Sequence, residues 1–284
     1  MKSGRIGIIG GSGLYEMESV EVIEKVKLET PFGDPSDEFI LGKFEGREVV
    51  FLARHGKGHR CTPSEINYRA NIFGLKTLGV EQILSVSAVG SLKEEIEPGH
   101  LVFIDQFIDR TTLRKATFFG EGIVAHVPLA EPICSVLKNH MASAAESLEY
   151  THHVNGIYIC MEGPQFSTKA ESNLYRSWGA DVIGMTNLTE AKLAREAQIC
   201  YSTLALSTDY DCWHADHDSV TTAQVMETMA ANIDKAKKVI KAVVPKLPIE
   251  RACACAKVLQ NAVVTDRLSL STHGKKILNV LNGK

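Results

Sequence analysis

ICYSTLALSTDYDCW, Ile199 to Trp213, changes character halfway along. Its first eight residues are an apolar run of strand length, the pattern of a β-strand buried in a core. Asp209 and Asp211 follow at once, so two carboxylates stand where the chain leaves the interior. Carboxylates there cost free energy unless something pairs with them, which makes this strand end the first candidate for a functional site.

Outward from this strand, short apolar runs alternate with amphipathic segments along the chain. RIGIIG, FILGKF, EVVFLA, QILSVSA, LVFIDQF, GIYICM and DVIGM are further strand candidates, and the alternation predicts an α/β protein. With no repeat, low-complexity tract or Pro/Gly/Ser linker, residues 1–284 read as one domain. Helix starts are expected at Thr62-Pro63-Ser64-Glu65, Thr168-x-x-Glu171, Asn187-x-x-Glu190 and Thr221-x-x-Gln224, each a capping-box pattern, with Gly79 as a stop for the first. In the last of these helices Met226 and Met229 fall on one apolar stripe with Ile233, Ala236 and Ile240.

The 284 residues are 44% hydrophobic, enough for a core, and carry a formal net charge of −3. Basic residues are scattered, which argues against nucleic-acid or anionic-membrane partners and leaves small ligands. The glycine-rich N-terminus is unlike a signal peptide and no run reaches membrane-spanning length, so a cytoplasmic location is expected. Seven cysteines lack the paired CxxC spacing of zinc sites. Most read as buried thiols. Cys253-Ala-Cys255 reads as reduced surface thiols, or as disulfide partners in a thermophile.

Several strand exits carry candidate chemistry. GIIGGSG, Gly7 to Gly13, could turn backbone N–H groups toward an anion, with Ser12 adding a hydroxyl, although it lacks the third glycine of a dinucleotide loop and the lysine of a P-loop. In LARHGKGH, Arg54 could grip an oxyanion bidentately and His55 add a donor. His55 and His59 are spaced as metal ligands only on a helix, which Gly-Lys-Gly opposes; His214 and His217 beside Asp216 read as a solvated loop. Ser87 and Ala88 offer a hydroxyl and a backbone N–H. Phe166, after Gly163-Pro164, could stack on a planar base, and Met185 and Thr186 add an apolar contact and a hydroxyl. Together these residues suit an anion at one end and a planar ligand with exposed N–H groups at the other.

From GIIGGSG through TPFGDPSD, VGSLKEEIEPG, IDQFIDRTT, EGPQFST, MTNLTEAKLAREA and STDYDCW, the chain resembles the trimeric purine nucleoside phosphorylase family, most closely its methylthioadenosine-cleaving branch. Only the tail after about Pro248 lacks a clear counterpart, although its C-x-C resembles that of thermophilic members. The resemblance implies a central mixed β-sheet flanked by helices, a homotrimer, and phosphate-dependent cleavage of an N-glycosidic bond. Phosphate is then a co-substrate, and no cofactor or metal is implied. By the family pattern Ser12, Arg54, His55, Ser87, the Ala88 backbone and Thr186 hold phosphate. Met185 touches the ribose, and Phe166, Ser167, Asp209, Tyr210 and Asp211 form the base site. Asp209 serves there as general acid at the purine N7.

Relatives that prefer 6-oxopurines resemble one another in carrying Asn and Glu where this chain has Asp209 and Ser167, so a 6-aminopurine is expected here. The 5′ pocket is expected from Thr222, Val225 and Met226 with a neighbouring subunit's His126. Thr222 stands where close relatives have Val, so its hydroxyl could admit adenosine beside methylthioadenosine. A 6-oxopurine phosphorylase, a nucleoside-binding module without turnover and a nicotinamide dehydrogenase are the competing readings.

Overall fold

The computed structural model describes residues 4–11, 14, 20–214, 222–266 and 268–283; between 222 and 227 only the backbone is described. Ser12, His217 and Thr221 therefore lie outside the described residues, as do the side chains of Thr222, Gln224, Val225 and Met226.

In chain order the elements are β1 (Arg5–Gly10), β2 (Glu21–Val26), β3 (Phe39–Phe44), β4 (Arg47–Ala53), α1 (Tyr68–Thr77), β5 (Val80–Ser91), β6 (Leu101–Arg110), α2 (Ser135–Ser147), β7 (His152–Met161), α3 (Lys169–Ser177), β8 (Val182–Gly184), α4 (Asn187–Glu196), β9 (Cys200–Asp209), α5 (Thr222–Val243) and α6 (Thr272–Leu281). The strands form a mixed nine-stranded sheet in the order β2-β3-β4-β1-β5-β8-β7-β6-β9, and β9 also pairs in parallel with β5. That last pairing closes β5, β8, β7, β6 and β9 into a ring, from which β1 to β4 extend as a wing.

Side-chain alternation explains the layers. On β4, Val49 and Phe51 join one apolar cluster with α2 and α5, while Val50 and Leu52 join another with α1, α4 and α6. Inside the ring, Tyr158 and Cys160 of β7 meet Val102, Val182 and Ala205, whereas the intervening Ile159 packs outward with Tyr175 of α3. β9 is buried along nearly its whole length, as its largely apolar sequence implies. The segment beyond Pro248 packs on the body through Ile277, Leu278 and Leu281, all buried in the second cluster.

All eight predicted strands form. β2 was not anticipated because EVIEKV is an exposed edge strand with no buried face to create a pattern. Two helix starts differ from expectation. Thr62 and Glu65 do bond to one another, with the Thr62 N–H donating to Oε2 at 2.9 Å, but they close a turn; α1 begins after Asn67, whose side chain accepts the Ala70 N–H. Asn187 and Glu190 do not cap α4 at all, because both side chains are buried and bonded elsewhere. Thr168-x-x-Glu171 forms the reciprocal capping box as predicted, and Gly79 ends α1 with φ +78°.

Candidate active site

β1 lies against β5 only as far as Ile9 opposite Ser85, and β8 takes up that edge of β5 from Gly90. Between them Val86 to Val89 lose a neighbour, leaving backbone polar groups along a switch point in the sheet, where α/β proteins collect ligands. A cavity of about 450 Å³ opens there, lined among others by Arg54, His55, Ser87, Ala88, Phe166, Met185, Thr186, Asp209 and Asp211. Nine predicted site residues thus meet in one cavity. They come from β4, β5, the β7–α3 loop, the end of β8 and the end of β9.

Arg54 is almost wholly buried and its fork is already occupied. Nε donates to Oε1 of Glu190 at 2.5 Å, Nη2 donates to Glu190 Oε2 at 3.0 Å and to Ser85 Oγ at 2.6 Å, and Nη1 donates to the Val86 carbonyl at 2.8 Å. Of five N–H groups, one on Nη1 has no partner among the described residues, so the expected bidentate grip on an anion is corrected: the bidentate partner is Glu190. Burial opposes the guanidinium charge, but the carboxylate outweighs it and the pKa is raised. Glu190 also accepts from Tyr201 and Ser85, and Asn187 Nδ2 donates to both Ser85 Oγ and Tyr201 Oη. This closed network explains why Asn187 and Glu190 are unavailable as caps.

His55 is a donor in a different sense from that expected. Nδ1 lies 2.8 Å from the Cys61 carbonyl and must carry the proton there. Burial, helped by Arg54 and His59, pushes the imidazole down to about 4, so at neutral pH Nε2 is an acceptor. His59 stacks on it with ring centroids 4.1 Å apart. Among the described residues, Thr186 is buried with its Oγ1 unpartnered, and Ser87 Oγ donates to the Ala88 carbonyl alone, at 3.2 Å.

At the other end, the two aspartates meet each other and the chain around them. Asp209 Oδ1 accepts the Asp211 N–H at 2.8 Å and Oδ2 accepts the Thr208 hydroxyl at 2.6 Å. Burial raises both carboxyls above the usual carboxylate range, and for Asp209 the nearby Asp211 adds to the shift. Gly90 lets this happen: a Cβ there would sit 2.9 Å from Asp209 Oδ1. Phe166, 48% exposed, presents its ring to the cavity mouth.

Three predicted residues stand apart from the cavity. Ser167 turns its hydroxyl to Met161 Sδ, and its carbonyl accepts from the Cys212 thiol. Tyr210 is buried behind Asp209, its hydroxyl donating to the Glu94 carbonyl, with His214 stacked on its ring 4.7 Å away. His214 also bonds Glu94 Oε1 at 2.9 Å, so the solvated-loop reading of that residue is corrected. His126 lines a separate recess with Lys192 and Glu196.

Arg114 escaped the sequence reading although its side chain is only 1% exposed. It donates to the carbonyls of Met161, Glu162 and Met185, to Ser64 Oγ and to Glu162 Oε1, tying together the exits of β7 and β8. An arginine four residues beyond the end of β6 leaves no periodic signal; only the run of carbonyls it meets gives it a role.

Residues 5–245 match the family model of the phosphorylase superfamily. S-methyl-5′-thioadenosine phosphorylase of Geobacter sulfurreducens is 54% identical over 279 residues, covering 98% of each chain, and that of Thermosynechococcus vestitus is 54% identical over 99% of this chain and 98% of the relative. Among solved structures, a methylthioadenosine phosphorylase from an Antarctic soil metagenomic library superposes with a TM-score of 0.93 at 48% identity, covering 99% of both chains. A mutant adenosine/methylthioadenosine phosphorylase from Schistosoma mansoni, in complex with methylthioadenosine, gives 0.86 at 32% identity, covering 94% of this chain and 99% of the other. The chain belongs to the phosphorylase superfamily, in the family formed by the S-methyl-5′-thioadenosine phosphorylases.

Proposed function

We propose that the protein cleaves S-methyl-5′-thioadenosine with inorganic phosphate, releasing adenine and 5-methylthioribose 1-phosphate. The observation that carries this reading is the pairing, in one cavity, of an anion end built from Arg54, Ser87, Ala88 and Thr186 with a carboxyl end where burial favours a protonated Asp209. Relatives at 54% identity bear the name of that activity.

In this mechanism a phosphate oxygen attacks C1′ as the C1′–N9 bond breaks. The electron pair of that bond passes to the purine, and Asp209 delivers its proton to N7. General acid assistance of this kind is worth ~10²–10⁴-fold. The phosphate takes the free Nη1–H of Arg54, the Ala88 N–H and the Ser87 and Thr186 hydroxyls, while its own O–H donates to Nε2 of the neutral His55. Held beneath the sugar, the anion stabilises the positive charge that develops on the ring. Phe166 covers the base, Met185 the ribose, and Asp211 fixes Asp209 through its backbone N–H. Ser12 belongs to the phosphate end by the family pattern, and Ser167 and Tyr210 support the base site from behind.

Thr222, Val225 and Met226 complete the 5′ pocket in this reading, with adenosine as a secondary substrate. The name of the Schistosoma mansoni relative, adenosine/methylthioadenosine phosphorylase, supports that dual use. The position of His126 outside the cavity suits a homotrimer in which it serves a neighbour's site. Seven free thiols suit a cytoplasmic location.

The test is base and sugar 1-phosphate release from methylthioadenosine, adenosine and inosine, with and without phosphate. Phosphate-dependent turnover that is fastest on methylthioadenosine is expected. Dominant turnover of inosine would instead assign a 6-oxopurine phosphorylase, and no turnover at all a binding module.

A further inference from the structure

The cysteines lack zinc-type spacing along the sequence, yet the fold gathers Cys134, Cys200, Cys253 and Cys255 so that all four Sγ atoms lie within 4.8 Å of one another. Three are buried, and Cys253 is half-buried at the edge of the group. We propose that these four cysteines form a tetrathiolate site for one divalent metal ion of zinc type, which staples the chain beyond Pro248 to α2 and β9.

Zinc bound by four thiolates at about 2.3 Å in a tetrahedron requires sulfurs about 3.8 Å apart on every edge. The observed group brackets that figure, with Cys200 and Cys253 at 3.2 Å and no edge above 4.8 Å. Two disulfides would need two bonded pairs near 2.05 Å, and none of the four cysteines is so paired. All seven cysteines are free thiols in this structure.

Three separate parts of the chain supply the ligands. Cys134 is the N-cap of α2, and its N–H donates to the Tyr201 carbonyl at 2.9 Å, which holds it against the start of β9. Cys200 is the first residue of β9. Cys253 and Cys255 approach from the tail. Binding exchanges four thiol protons for one M²⁺, releases the protons to solvent and leaves a site of charge −2. Arg195 Nη1, which donates to Cys255 Sγ at 3.5 Å, and the positive end of α2 at Cys134 offset that charge. Cys253, at the edge, gives the ion its way in.

The site is remote from the reaction proposed above and does not depend on it. The test uses the full chain, purified in reductant without a metal-affinity step, incubated with zinc sulfate and desalted. Elemental analysis is expected to give one zinc per chain. Of the seven thiols, four should become titratable only after denaturation with a chelator. Cobalt(II) in place of zinc should show the strong visible bands of tetrahedral thiolate coordination, and Cys253→Ser with Cys255→Ser should lose both metal and bands. Three results overturn the proposal: a zinc-free chain with seven titratable thiols, a zinc-free chain with four thiols lost to disulfides, or zinc retained unchanged by the double variant. If that variant does not fold, zinc content and the cobalt spectrum of the wild-type chain decide alone.

Discussion

Arg54 and Glu190, 136 residues apart in sequence, are joined by two bonds of 2.5 and 3.0 Å in a setting where neither side chain is more than 3% exposed. Arg54 lines the cavity, and the geometry of the pair leaves the guanidinium one N–H to offer a ligand. Removing one partner of a buried pair strands the other charge. Glu190→Ala should therefore destabilise the fold by about 3–5 kcal/mol, read as a drop in the denaturation midpoint. Arg54→Met combined with Glu190→Leu should recover most of that stability while the KM for phosphate rises steeply. A double variant that binds phosphate normally would remove Arg54 from the site.

Asp209 must hold a proton to act as an acid, and burial favours that form. Turnover of methylthioadenosine should fall as pH rises through its raised pKa. Asp209→Asn should lower kcat by ~10²–10⁴-fold and abolish that limb of the profile. Wild-type kcat in this variant would exclude the role.

Gly90 has no room for a side chain, since its Cβ would lie 2.9 Å from Asp209 Oδ1 and 3.1 Å from Ile183 Cγ2. Gly90→Ala should push the carboxyl aside without unfolding the sheet. Misplacement of a reacting group by about 1 Å costs on the order of 10²-fold. The expected signature is a fall of that size in kcat with a nearly unchanged far-ultraviolet spectrum; unchanged kcat would show that Asp209 tolerates displacement.

Two groups shape the acid side of the stability curve. His55 is held near 4 in the fold against 6.5 unfolded, chiefly by burial, so the unfolded chain takes up its proton first and stability falls as pH drops from about 6.5 to 4. Glu162 is held near 2 against 4.5: burial opposes its charge, but bonds from Ser64 and the Thr112 and Leu113 N–H groups, with Arg114, outweigh it. Its contribution is present above about 4.5 and is lost toward 2. Denaturant midpoints against pH should lose the upper slope in His55→Gln and the lower slope in Glu162→Gln. Identical slopes in all three proteins would refute both assignments.

The strands were legible because most are buried on both faces and write themselves as apolar runs. β2 was not, since an exposed edge strand of alternating Glu, Val and Lys has no core to mark it. Thr168-Glu171 and Thr62-Glu65 carry the same capping pattern, and only the first starts a helix. In the second, the chain needs Asn67 to face the loop carbonyls of Phe32 and Asp34, and the helix waits for it.

By itself the sequence determined the alternation of strand and helix and which residue types stand at strand exits, because burial periodicity and turn chemistry act over a few neighbouring residues. It also carried, through resemblance, the family's pattern of site positions. Only the tertiary structure decided who meets whom: that Glu190 takes the fork of Arg54 in place of capping a helix, that Asp209 is fixed by Asp211, that Arg114 ties two strand exits, and that four scattered cysteines converge. Apart from the contact between Asp209 and Asp211, these pairings join residues tens to more than a hundred positions apart, and desolvation, which sets both their strength and their ionisation, exists only once the core has closed around them.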